Sequence, residues 1–196
     1  MAIVSTEHHE VRAKLALMGP PGAGKQEILR QLSKQQGSGP LHHRKVGETD
    51  VYQASWEWAG IPEPGWTTHL AAYTTVGKVE FNAITEMLLD GVDGIIFVAP
   101  VDPERAEEIK QSLQTLIFNL KRYERDIADI PVTLHYHRAE LVPDFDPVTL
   151  DHFLGLAEGV VPRFVTRTEG DDLTGSFASV LGQVLKKIEL PAEVGS

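Results

Sequence analysis

Residues Gly19-Pro20-Pro21-Gly22-Ala23-Gly24-Lys25-Gln26 follow a short apolar run, Lys14 to Met18, and precede Ile28, Leu29 and Leu32 at helical spacing. A strand that feeds a glycine loop and then a helix is the supersecondary unit of a phosphate-binding loop. The pattern G-x-x-x-x-G-K-[ST] is complete through Lys25. It restricts the chain to folds in which a buried strand ends against a helix N-terminus. Backbone N–H groups from Gly19 to Gly24 can curl around phosphate oxygens, and Lys25 can reach the β/γ-phosphates. Gln26 stands where a serine or threonine hydroxyl normally ligates Mg²⁺. The loop therefore predicts a nucleotide site poorly equipped for hydrolysis.

Periodicity orders the rest. A helix is expected over 25–35, stopped by Gln36-Gly37-Ser38-Gly39-Pro40. Residues 41–50 are polar and aperiodic and read as a long loop. Val51 to Trp58 alternates as a strand with one covered face, and a turn-rich link leads to a second strand over 68–76, a hairpin. A helix ending near Gly91 follows. Gly94 to Ala99 is continuously apolar and reads as a central parallel strand covered on both faces. Further elements are a helix over 102–123, a strand over 131–137, a short helix over 147–156, a strand over 160–166 and a C-terminal helix through Ile188. The prediction is one three-layer α/β domain over 1–196. Its sheet has about six strands, mostly parallel, with one antiparallel edge strand, and 1–11 and 191–196 are tails.

The 196 residues suit one domain with a proper core, and the net charge of −10 argues against nucleic acid or anionic membranes as partners. Without cysteine there is no disulfide framework or thiolate metal site. The polar N-terminal stretch lacks the apolar core of a secretory signal, so the expected location is cytoplasmic.

Several clusters admit two readings. His42-His43-Arg44-Lys45 is a phosphate or partner contact, or a solvated basic loop. His135 and His137 share one side of a strand, as a metal pair or as residues of a strand end. Trp56, Trp58 and Trp66 are core packing or aromatic anchors for a partner. Asp144, Asp146 and Asp151 fit a cap-rich loop better than a metal site, and no metal ligands are assigned.

The chain resembles the MglA-type bacterial branch of the Ras-like small GTPases, over roughly Lys14 to Ile188. Glu48-Thr49-Asp50 resembles the E-T-D at the end of that family's first switch. Tyr73-Thr74-Thr75-Val76-Gly77-Lys78-Val79 resembles its Y-T-V-P-G-Q-V, and Phe81-Asn82-Ala83 its Y-N-A. Leu88 to Ala99 is similar to L-x-x-G-x-D-G-x-V-F-V-A, and Thr168-Glu169-Gly170 to the end of its final loop. The resemblance implies a Ras-like P-loop fold, GTP or GDP as ligand with Mg²⁺ left open, and a protein partner at the switch regions and the Val51–Trp58 hairpin. A Roadblock-type protein is the partner it suggests.

The same resemblance exposes departures. Val51 and Tyr52 take the places of a catalytic arginine, worth on the order of 10³–10⁵ in rate, and a Mg²⁺-sensing threonine. Lys78 takes the place of the glutamine that orients water; an ammonium donates but cannot accept. His137-Arg138-Ala139-Glu140 falls on the guanine-reading N-K-x-D, where His137 could donate to the base, Arg138 stack on it and Glu140 accept from it. Arg167 falls near a normally small position. These departures predict a pseudo-GTPase with weak or absent nucleotide binding, a cofactor site of Gly19, Gly22, Ala23, Gly24, Lys25, Gln26, His137, Arg138, Glu140 and Arg167, and no assigned catalytic residue. Two alternatives remain. One is an active GTP switch with atypical groups or a partner-supplied arginine. The other is a small-molecule kinase, although Arg105, Arg122 and Arg125 form no obvious lid.

Overall fold

The computed structural model describes residues 2–58, 65–76, 83–156, 161–166 and 173–188. Eight strands form one sheet: β1 (Ile3–Ser5), β2 (Glu10–Met18), β3 (His42–Val46), β4 (Thr49–Trp58), β5 (Thr67–Val76), β6 (Gly94–Pro100), β7 (Val132–His137) and β8 (Arg163–Val165). The helices are α1 (Lys25–Gln35), α2 (Ala83–Leu89), α3 (Ala106–Arg122), α4 (Pro147–Leu154) and α5 (Thr174–Lys186). The strand order is β3-β4-β5-β2-β6-β7-β8, with β1 also on β2. β5, β2, β6, β7 and β8 run parallel, whereas β3–β4, β4–β5 and β1–β2 pair antiparallel.

The sheet corrects the expected count of about six strands, and three antiparallel pairings, made by β1, β3 and β4, replace the one antiparallel edge strand. Both additions escape a hydrophobicity reading for a physical reason. β3 lies in the stretch read as a loop, and all five of its residues are exposed. A strand that covers no core on either face has no alternation to detect; its ladder to β4 holds it. β1 lies in the stretch read as a tail and pairs three residues with Glu10 to Arg12. Residues 191–196 lie outside the described residues.

β6 is buried from Gly94 through Ala99, matching its unbroken apolar run. Its side chains alternate between two cores, Ile96 and Val98 on one face, Ile95, Phe97 and Ala99 on the other. β2 divides likewise, Leu15 and Leu17 against Ala16 and Met18. One core is completed by α1 and α5 through Ile28, Leu29, Leu32, Phe177, Val180 and Leu181, the other by α3 and α4 through Ile109, Leu113, Leu116, Leu120, Leu150 and Leu154. Each fully buried aliphatic or phenyl side chain contributes about 1.5–3 kcal/mol, so the sheet's faces dominate the stability. Trp56, Trp58 and Trp66 all belong to the first core, at 7%, 8% and 6% exposure. This overturns the reading of any of them as a partner anchor; the exposed residues of that hairpin strand are Ser55 and Glu57. Among the described residues no helix is long and apolar enough to cross a membrane.

α5 approaches β6 where Gly94 presents no side chain. A Cβ there would lie 2.6 Å from Val180 Cγ2 and 2.9 Å from Leu15 Cδ2. Gly94→Val should overpack this contact and cost about 1–3 kcal/mol, seen as a lower urea midpoint at unchanged slope. An unchanged midpoint would show that α5 is not seated there.

Candidate functional site: the phosphate loop and its surroundings

The loop begins where β2 leaves the sheet, between β5 and β6 at their carboxyl ends. Gly19 has φ +134 and lies on the carbonyl of Val98 in β6, where any Cβ would collide with that oxygen. The loop is thus seated against the neighbouring strand by backbone contact. Gly24, at φ 88, is the N-cap of α1 and supplies no side-chain cap. The first-turn N–H groups of α1 are therefore left for a ligand, the arrangement that favours anions at helix N-termini.

Lys25 is the first residue of α1 and only 5% exposed. Its ammonium donates to the carbonyls of Gly19 at 2.8 Å and Pro20 at 2.7 Å. An ammonium has three N–H donors, so one remains beyond these two bonds. Burial, and then the nearby Arg105 guanidinium, pull its pKa down from 10.5 to about 8, while Glu108 opposes them. A recess of about 250 Å³ is lined by Pro21 to Glu27 together with Arg30, Thr75 and Val76. A second, of about 200 Å³, opens beside Lys25 toward Thr75, Thr85, Glu108, Ser112, Thr115 and Asn119.

The recess at the loop suits phosphate better than Mg²⁺. Gln26 offers a neutral amide in place of a hydroxyl. The carboxylate lining that recess, Glu27, stands alone among the described residues. At the end of β5, Thr74 donates its hydroxyl to Leu17 O at 3.1 Å. Among the described residues the recess offers the Glu27 carboxylate, the Gln26 amide and the Thr75 hydroxyl, fewer convergent oxygens than a hard dication prefers.

His137 ends β7 against the loop. A Cβ on Gly24 would lie 2.8 Å from His137 Nε2, so the glycine makes room for the ring. A chain of hydrogen bonds fixes the protons behind it. Ser176 donates to Leu173 O at 3.2 Å and so accepts from His135 Nδ1 at 3.0 Å. His135 Nε2 then accepts from the Thr166 hydroxyl at 3.0 Å, and Thr166 accepts from His137 Nδ1 at 3.2 Å. The assignment leaves a lone pair on His137 Nε2, buried and without a hydrogen-bond partner among the described residues. His137 thus presents an acceptor where the expected base contact required a donor. His135 spends both ring nitrogens on hydroxyls, so it has none for the metal pair considered from sequence.

Arg138 (φ 65) and Glu140 are exposed and pair with each other, Nε to Oε1 at 3.3 Å. Val51 packs against Ile84 and Leu88, and Tyr52 stacks on His43 with centroids 4.8 Å apart. Lys78 and Arg167 lie outside the described residues. Of the aspartates, Asp146 caps α4, accepting from Val148 N and Thr149 N. Asp151 is instead buried, held by the Tyr136 hydroxyl and by Arg163 at 2.9 Å.

Sequence reasoning set Arg105 aside as part of no obvious lid and did not place it at the loop. It lies in a short 3-10 turn, Pro103–Arg105, between β6 and α3. Its Nη2 donates to Pro21 O at 2.5 Å and its Nε to Glu108 Oε2 at 2.7 Å. The available signal was Asp102-Pro103, an N-cap followed by a first-turn proline. Asp102 accepts from Glu104 N at 3.0 Å and fixes the helix start at the carboxyl end of β6, beside the loop.

Burial holds His135 near pKa 3, with His137 adding to the effect, and burial also lowers His137, opposed by Glu27 and Glu140 and aided by Arg138. Both rings are neutral when folded and take up protons more readily unfolded. Stability should therefore be full above about pH 6.5 and fall on acidification, by up to about 1.4 kcal/mol per pH unit for each ring. Urea unfolding between pH 7 and 5, above the main carboxylate range, should show this loss, and His135→Gln should reduce it. A flat profile would contradict the assigned neutral rings.

No family model matches the chain. Over 77 residues, 39% of its length, the chain is 36% identical to the mutual gliding-motility protein MglA of Myxococcus xanthus. The matched segment spans 40% of that relative, well under two thirds of its length. This partial similarity supports a small-GTPase relationship, and the mixed α/β fold with its mostly parallel sheet fits a Ras-like architecture.

Proposed function

We propose that the protein is a Ras-like pseudo-GTPase: a phosphate loop that holds GDP or GTP weakly, without appreciable hydrolysis, on a domain that works by binding another protein. The observation that carries this reading is the first turn of α1, where Lys25 keeps the cradle and Gln26 removes the hydroxyl for Mg²⁺. Three further features support it. Val51 is an apolar core residue at the position of a catalytic arginine. Arg138 and Glu140 are paired with each other. His137 presents an acceptor toward Gly24. A role in polarity, motility or signalling, and a Roadblock-type partner, belong to this proposal through the partial similarity to MglA.

The domain's contribution to binding is positional. Gly24 and the first turn of α1 offer backbone N–H groups to phosphate oxygens. Lys25 adds a cation already oriented by the Gly19 and Pro20 carbonyls. A bound nucleotide would supply a polyphosphate whose charge the loop can neutralise, and its retention would order the loop without turnover.

Nucleotide-stripped protein should release no phosphate from GTP above buffer, and its GTP affinity should change little on adding Mg²⁺. Mg²⁺-dependent turnover would overturn the reading in favour of an active switch, and phosphate transfer to a small acceptor would favour a kinase. Gln26→Thr restores the metal-ligating hydroxyl and should create Mg²⁺-dependent affinity while leaving turnover absent. A Gln26→Thr protein that hydrolyses GTP would show that ligation alone was the defect.

A further inference from the structure

We infer that Arg105 is a second phosphate-binding cation, and that it lets the loop take a diphosphate group without a divalent metal. The inference rests on the phosphate reading of the loop and identifies what replaces the missing metal charge.

Arg105 reaches the loop from outside its own motif. Asp102 and Pro103 fix the turn that carries it. One Nη2 hydrogen bond anchors the guanidinium to Pro21 O, and Nε is committed to Glu108. Nη1 remains, and it lies 3.8 Å from where a Cβ on Gly22 would project. Its N–H groups thus stand at the rim of the loop, beside backbone donors that face the same anion. The side chain is 28% exposed, open enough for a ligand to meet it.

The charge balance points the same way. Lys25 and Arg105 lie close enough for Arg105 to depress the Lys25 pKa, and the carboxylate offsetting both is Glu108. With Arg30 and Glu27 also lining the recess, three cations against two carboxylates leave a net positive charge at the loop in a chain of net charge −10. An anion seated there relieves the repulsion between them. A diphosphate suits the pair: one phosphate in the backbone cradle with Lys25, the other against the planar guanidinium, whose parallel N–H bonds match phosphate oxygens. Inorganic pyrophosphate and a nucleoside diphosphate share this chemistry.

Calorimetric titration of nucleotide-stripped protein with inorganic pyrophosphate, GDP and ADP, in EDTA and again in Mg²⁺, tests the inference. Pyrophosphate should bind comparably in both buffers. Arg105→Gln should lose about tenfold or more, the scale of a hydrogen bond to a charged group, and Arg105→Lys should lose less. Arg105→Gln also removes the bond to Pro21 O, so Glu108→Gln supplies the second arm. Freeing the guanidinium from its carboxylate should tighten pyrophosphate binding, whereas a merely structural brace would weaken. No pyrophosphate binding by the wild type in either buffer would overturn the phosphate reading itself. Binding in Mg²⁺ alone, or unchanged affinity in Arg105→Gln, would overturn the role of Arg105 and leave that reading standing. GDP binding more tightly than pyrophosphate would assign the ligand as a nucleotide; comparable affinity would assign free diphosphate, and the inference holds in both cases.

Discussion

The contact between Gly19 and the Val98 carbonyl sets where everything else at the site can stand. It presses the loop against β6, so Lys25 emerges at the base of α1 with its ammonium folded back onto the Gly19 and Pro20 carbonyls. A cation buried to this degree is costly unless its donors are engaged. The loop carbonyls engage two of them, and the lowered pKa of Lys25 records the remaining cost. The site is preorganised and under electrostatic tension before any ligand arrives.

Two segments bear on the loop from different parts of the chain. The turn before α3 brings Arg105 onto Pro21. The end of β7 brings His137 onto Gly24. Behind His137, Thr166 and Ser176 tie β8 and α5 into the same hydrogen-bonded chain. Displacement of the loop therefore disturbs a buried polar network in which each hydroxyl has one proton to give. Such networks are costly when half satisfied, and His137 Nε2, unpartnered among the described residues, and the neutral His135 ring behind it mark where the cost falls.

The sequence made the core and the loop legible because both rest on local signals. Gly94 to Ala99 read as a doubly buried strand, and Ile28, Leu29 and Leu32 as a helix face, from periodicity alone. β3 was not legible: residues 42–46 cover nothing, and only pairing with β4 makes them a strand. The tryptophans were ambiguous, since a half-buried hairpin offers either face to an aromatic ring. At the site, His137 and Arg105 depended on tertiary placement. Proton direction at His137 is decided by Ser176 and Leu173, far along the chain, and Arg105 gains its role from Pro21, 84 residues away. Arg138 and Glu140 were assigned to a base by resemblance, and in the structure both are exposed and pair with each other.

The central claim is that the loop kept its anion cradle while losing the means to cleave what it holds. Phosphorus NMR of GTP mixed with the purified protein addresses both halves in one sample. The β- and γ-phosphorus resonances should shift or broaden even with EDTA present, and no inorganic phosphate signal should grow after Mg²⁺ is added. A growing phosphate signal after Mg²⁺, absent from a Lys25→Ala sample, would contradict it.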